Sequence, residues 1–246
     1  MSNIVVQQAD GVLQLRLNRP EKKNAISQAM YTELVGRLQA AATDDKIRAV
    51  LLTGGEECFS AGNDLKDFLG AGELNASHPT VQFLYQLARF PKPIVAAVAG
   101  LAIGIGTTAL LHCDLVYATD SVRFQMPFTQ LGLCPEAASS VLLPAIAGYQ
   151  RAAQYLLLGE AFGIEQALQF GLVNQLVAKP DLISFALSKA QQLAGLPADA
   201  VQSSKALLKR SQQPGIEHTI ATELEQFQRL LHTEVCQDKI NAFFQR

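Results

Sequence analysis

KPIVAAVAGLAIGIGTTALLHCDLVYATD, residues 92–120, decides how the rest of the chain is read. It opens on a proline-bounded apolar run, KPIVAAVAG, with the length and branched content of a buried strand. A glycine-rich segment follows, GLAIGIGTTALLH at 100–112, and DLVYATD then reads as another strand. Gly104-Ile105-Gly106-Thr107-Thr108-Ala109 matches the dinucleotide fingerprint G-x-G-x-x-A, and Asp120 ends the following strand. Spacing rejects that reading. Asp120 stands only 14 positions after Gly106, whereas the fingerprint has about 20 residues between motif and acid. Those positions must hold a helix and a strand, which leaves roughly two helical turns. What survives is a glycine-rich lead-in to a short helix, where backbone N–H groups can be exposed.

Outward from this segment, strands and helices alternate. Residues 4–18 read as a hairpin about Asp10-Gly11. Asn24 to Ala42 has helical spacing, with Ile26, Met30, Leu34 and Leu38 on one stripe. RAVLLTGG at 48–55 is a buried-looking strand, and HPTVQFLYQLARF, ending at Phe90, is a helix. From Pro135 onward the pattern turns helical, with one short strand candidate, LVNQLV at 172–177. The alternation predicts an α/β core, with a helical layer in the last third.

With 246 residues, of which 49% are hydrophobic and 17% charged, the chain can bury a sizeable core. A formal charge of −2 leaves no electrostatic footprint for nucleic acid or an anionic membrane. Cys58, Cys113, Cys134 and Cys236 show no metal-ligand spacing and are expected as free thiols in a reducing compartment. No signal peptide or membrane-length apolar run is recognisable, so a soluble, cytoplasmic protein is expected.

Two further stretches can hold chemistry. FSAGNDLKDF at 59–68 passes through Ala61-Gly62 and opens a helix at Asp64. Its backbone N–H groups could face an anionic oxygen, or the segment could be a turn with Asp64 as helix cap. LGLCPEAASS at 131–140 holds Glu136, the one acid between Asp120 and Glu160. Pro135 suits a first helical position, and an acid in the first turn favours the helix dipole. Glu136 therefore either caps a helix or moves a proton; burial would raise its pKa and a helix terminus would lower it. His78, His112, His218 and His232 are scattered, and adjacent His112-Cys113-Asp114 must point in different directions. Neither G-x-S-x-G nor a Walker A sequence is present.

Taken together, LNRPEKKNAIS (17–27), VLLTGGEECFSAGNDLKDF (50–68), residues 92–124, Gly132 to Gly148 and GLVNQLV (171–177) resemble the enoyl-CoA hydratase/isomerase, or crotonase, superfamily. The resemblance implies an α/β fold, a crotonase-like spiral of ββα units over 1–195. A helical C-terminal region, 196–246, would pack over the active site or a neighbouring subunit. It also implies acyl-CoA substrates, assembly as a homotrimer or dimer of trimers, and no cofactor beyond the CoA that the substrate brings. Two backbone N–H groups hold the thioester oxygen in this family, and the matching positions are Ala61 and Ile105. Ala61, Gly62, Asn63, Asp64 and Leu65 would contact the CoA adenine and pantetheine; Lys22, Lys23 and Ala25 would lie near its phosphates.

Departures from the family pattern narrow the reaction. Hydratases of this family place glutamates where this chain has Thr108 and Phe128. SAGNDL and MPFTQLGLCPEAASS instead look like the Δ3,Δ2-enoyl-CoA isomerase branch, where a lone glutamate stands at the position of Glu136. Phe128 and Leu133 would then line an apolar chamber around that base. Enoyl-CoA hydration, another acyl-CoA reaction such as hydrolysis or decarboxylation, and a non-catalytic acyl-CoA-binding subunit are the alternatives.

Overall fold

In the computed structural model, which describes residues 2–69, 72–210 and 213–244, Asp10 and Gly11 take φ of 51° and 76°. Two consecutive positive φ values make the tight turn that matches strand twist. It joins β1 (Ile4–Ala9) to β2 (Val12–Leu17) as the expected antiparallel hairpin. The remaining strands are β3 (Ala49–Thr53), β4 (Ile94–Val98), β5 (Leu101–Ile103), β6 (Leu115–Ala118), β7 (Arg123–Gln125) and β8 (Gln175–Leu176). The main sheet runs β1-β2-β3-β4-β6-β8 and is parallel from β2 onward, while β5 and β7 form a separate parallel pair.

β3 and β4 are buried along their whole length, as strands covered on both faces must be. On one face Val50, Leu52, Ile94, Ala96 and Val98 join the core built with the helices Gln28–Thr43 and Pro79–Arg89. On the other, Ala49, Leu51, Val95 and Ala97 meet Leu182, Ala186, Ala190 and Ala194 of the helix Leu182–Gly195. Alanines four apart let that helix lie close on the sheet. The C-terminal helices Ala198–Lys209, Gln213–Leu231 and Glu234–Phe244 close the molecule. Ile216, Ile220, Phe227 and Leu231 of the second belong to the main core. Lys205 fastens the first, donating to Lys92 O at 2.6 Å and to Asp114 Oδ2 at 2.7 Å. Of the 196–246 region, residues 211, 212, 245 and 246 lie outside the described residues.

Three sequence expectations need correction. The first long helix starts at Gln28, capped by Ser27 Oγ, and not at Asn24. Asn24 takes φ of 55°, and its side chain donates to Gly54 O and Cys58 O and accepts from Arg19 N–H. Such side-chain bonding to the backbone competes with helix formation. No helix begins at Pro135; the next one is Ser139–Ala147. Within 172–177 only Gln175–Leu176 is strand. No helix among the described residues is long and apolar enough to cross a membrane, and all four cysteines are free.

Candidate active site

The segment after β3 runs alongside β5. Ser60 bridges Ala102 in parallel register, with Ser60 N–H donating to Leu101 O and Ile103 N–H to Ser60 O, each at 2.9 Å. The approach is close enough to demand glycine. A Cβ on Gly62, whose φ is 94°, would stand 2.8 Å from Ile103 O, and one on Gly106 would stand 2.9 Å from Ser60 O. Continuing the register brings Asn63 beside Ile105, the first residue of the short helix Ile105–Thr108.

Helix starts leave N–H groups without intrahelical acceptors. The Ile105 N–H has none among the described residues, and neither does the Asn63 N–H. The sequence pairing of Ala61 with Ile105 is corrected here, because Ala61 N–H already donates to Lys23 O at 2.9 Å. The free donor on this strand is two residues further on.

Glu136 is buried, at 5% exposure, and accepts a hydrogen bond on Oε1 from Thr108 Oγ1 at the end of the same short helix. Burial pushes its carboxyl up to about 8, with the charge of Glu223 adding to the rise and the Thr108 hydroxyl opposing it. It does not cap a helix. Ala137 and Ala138 follow with φ of 59° and 56°, a left-handed pair that turns the chain before Ser139. The helix start is capped from elsewhere, by the Glu223 carboxylate of the helix Gln213–Leu231.

The walls are apolar. Phe128, itself buried, comes within 3.9 Å of where a Gly104 Cβ would be and meets Phe227 edge-on, with ring centroids 6.5 Å apart. Leu133 is buried beside it, its N–H donating to Phe128 O at 2.8 Å. The Tyr31 hydroxyl donates to Asn63 Oδ1. Burial, and secondarily the charge of Glu136, hold that phenol well above its usual pKa, so it stays protonated.

The expected CoA-binding residues form a second patch. Lys23 O receives Ala61 N–H, Ile26 N–H donates to Gly62 O, and Asp64 N–H donates to Ile26 O. Arg19 ties Ala25 to Asp64 by donating to Ala25 O at 3.2 Å and Asp64 Oδ2 at 2.7 Å. Burial works against ionisation of Asp64, but the Arg19 hydrogen bond and charge, with the Lys66 and Asp67 N–H groups, hold its pKa below the usual range. Asp64 also leads into the short helix Leu65–Leu69. Lys23, Ala25 and Ala61 to Leu65 thus share one patch; Ile105, Glu136, Phe128 and Leu133 share the other. Tyr31 bonds to the first through Asn63 and is coupled electrostatically to Glu136 of the second.

Tyr31, Glu223 and Phe227 were missed in the sequence. The signal for Glu223 was there: Ile216, Ile220, Phe227 and Leu231 define an apolar stripe, and Glu223 occupies one of its positions. His112, Cys113 and Asp114 do diverge. His112 Nε2 meets Ala137 O at 2.8 Å, Cys113 donates to Ala109 O, and Asp114 accepts from Ile94 N–H and Lys205.

A family model described as enoyl-CoA hydratase/isomerase matches residues 7–246. The chain is 36% identical to 2,3-dehydroadipyl-CoA hydratase of Escherichia coli K12, covering 100% of this chain and 97% of that one. It is 33% identical to human enoyl-CoA delta isomerase 2, covering 99% of this chain but only 63% of that longer protein. Among solved structures, Pseudomonas aeruginosa OdaA superposes over 100% of both chains with a TM-score of 0.97 at 40% identity.

Proposed function

The chain belongs to the enoyl-CoA hydratase/isomerase family, and from that premise we propose that it is a Δ3,Δ2-enoyl-CoA isomerase with Glu136 as its single acid–base group. The supporting observation is the asymmetry between two neighbouring carboxylates. Glu136 has one hydroxyl partner and is buried in an apolar region of the core, whereas both oxygens of Glu223 are occupied by Ala138 and Ser140. Hydration by a pair of carboxylates lacks its second member here, because Thr108 and Phe128 occupy the positions at which hydratases of the family carry glutamates.

The reaction needs one base. Ionised Glu136 takes a proton from C2 of a 3-enoyl thioester; the C2–H electron pair forms the C1–C2 double bond and the carbonyl becomes an oxyanion. Asn63 N–H and Ile105 N–H receive that charge, each such donor being worth about 3–4 kcal/mol at the transition state. The same carboxyl returns the proton to C4: the C3–C4 pair forms the C4–H bond, the C1–C2 pair becomes the C2–C3 double bond, and the oxyanion lone pair re-forms the thioester carbonyl. A base whose pKa lies near the working pH can both take and return a proton. Lys23, Ala25 and Ala61 to Leu65 hold the CoA portion, and Phe128 and Leu133 keep water from the dienolate. The enzyme works in the cytoplasm as a homotrimer or dimer of trimers.

A second reading, enoyl-CoA hydration, draws support from the hydratase that matches the whole chain. One experiment separates them. A 3-enoyl-CoA is followed by ultraviolet absorbance as it becomes conjugated, and crotonyl-CoA hydration is followed alongside. Conjugation without hydration, reduced about 10²–10⁴-fold in Glu136→Gln, is the expected result. Rapid hydration, or isomerisation indifferent to Glu136, overturns the proposal.

A further inference from the structure

Glu223 sits on the C-terminal helix Gln213–Leu231, remote in sequence from every motif of the site, and is 7% exposed. Its Oε2 accepts from Ala138 N–H at 2.7 Å; its Oε1 accepts from Ser140 N–H at 3.0 Å and from Ser140 Oγ at 2.5 Å. Its own backbone carbonyl receives the Cys134 thiol at 3.7 Å. The segment that holds Glu136 is thus gripped on both sides by one residue of a distant helix.

The grip is needed because the turn is uphill. Ala137 and Ala138 both occupy the left-handed region, which non-glycine residues visit at a cost. His112 holds the Ala137 carbonyl from the other side. These two clamps hold the turn that presents Glu136 to Thr108.

We propose that Glu223 is a positioning residue for the reaction: by fixing the Ala137-Ala138 turn it aims the Glu136 carboxyl, beside which it places a second carboxyl. The inference rests on Glu136 being the base. The Thr108 hydroxyl touches Glu136, and the Tyr31 phenol, the Cys134 thiol and the Glu223 carboxyl are the titratable groups coupled to it electrostatically. Among these, Glu223 supplies a like charge once ionised; burial raises its own pKa, and the hydrogen bonds from Ser140 and Ala138 partly oppose that rise, while Tyr31 and Cys134 are held protonated, chiefly by burial.

Glu223→Gln tests both parts. The amide can still accept from Ser140 but presents N–H to Ala138, so the aim is disturbed and the charge is gone. The expected result is a fall in kcat of about 10-fold with KM within about 2-fold, and an acid limb of the pH profile displaced to lower pH. Carbon-13 NMR titration of Glu136, assigned with Glu136→Gln, reads the same displacement without substrate and so stands even if the reaction proves different. Ser140→Ala keeps the charge and loosens the grip; it is expected to lower kcat about 3-fold and leave the titration in place. A purely structural cap would lower thermal stability while leaving the titration and kcat alone in the folded protein. An unmoved Glu136 titration in Glu223→Gln together with unchanged kcat overturns the proposal; should that variant not fold, unchanged kcat in Ser140→Ala does so.

Discussion

Thr108 Oγ1 donates its hydrogen bond to Glu136 Oε1 inside the core, with both residues buried. A hydroxyl that donates to a carboxylate favours the charged form and so partly offsets the burial that raises the Glu136 pKa. Thr108 therefore keeps this buried carboxyl ionisable near neutrality.

Thr108→Val, which keeps the shape and deletes the donor, should push the Glu136 pKa further up. The acid limb of kcat then moves to higher pH, and activity at pH 7 falls about 10-fold per unit of displacement. Much of the loss should return at pH 9 to 10, where the carboxyl ionises anyway. A pH–rate profile of the two proteins checks this; a loss equal at every pH would mean that Thr108 acts on geometry alone.

The buried Glu136 carboxyl should also cost stability. The folded pKa of Glu136, about 8, lies above its unfolded value, 4.5, so the folded state holds the proton more tightly. Stability from the neutral carboxyl is full below the unfolded value and is lost as pH rises through the folded one. Glu136→Gln does not titrate and should gain on the parent across that window, by on the order of 5 kcal/mol well above pH 8. Urea unfolding of both proteins at pH 5 and pH 9 reads the difference, and a gap that fails to widen with pH would contradict a buried, neutral Glu136.

Tyr31 offers a finer test of how the two patches are coupled. Its hydroxyl holds Asn63 Oδ1, and the Asn63 N–H stands in register with Ile105 N–H. Tyr31→Phe should cost about 1 kcal/mol of stability, as a typical lost hydrogen bond does. If Asn63 is an oxyanion donor, kcat should fall about 5-fold or more while KM moves little, since the interaction strengthens only as charge develops. A change confined to KM would place Asn63 in binding rather than catalysis.

The lettering of the chain made the fold more legible than the site. The Asp10-Gly11 turn, the apolar runs of β3 and β4, and the helix Pro79–Arg89 were all readable because each is a local pattern closing on local geometry. β5 and β7, three residues each, are too short to show a period. The site failed where its logic is non-local. Pro135-Glu136 looked like a helix start because the free N–H groups of the true start are served by Glu223, some 85 residues away. Ala61 looked like a free donor because nothing local reveals that Lys23 O has claimed it. Glu223 was visible as an acid on an apolar stripe, but its partner was not.

On the proposed isomerase reading, Phe128 keeps water from the product. Its ring lies beside Gly104 and meets Phe227 edge-on. Phe128→Ala should cost about 3–5 kcal/mol as a buried aromatic truncation, so it is best studied at low temperature beside the milder Phe128→Leu. Two outcomes follow from admitting water. Relief of burial should lower the Glu136 pKa and carry the acid limb of kcat to lower pH. Water beside the newly conjugated C3 should also permit slow hydration, so absorbance would rise as the 2-enoyl product forms and then decay. Phe128→Leu, which leaves less room, should show the first effect weakly and the second hardly at all. If both variants give a simple rise with the parental pH profile, dryness is maintained elsewhere, and Leu133 becomes the residue to open next.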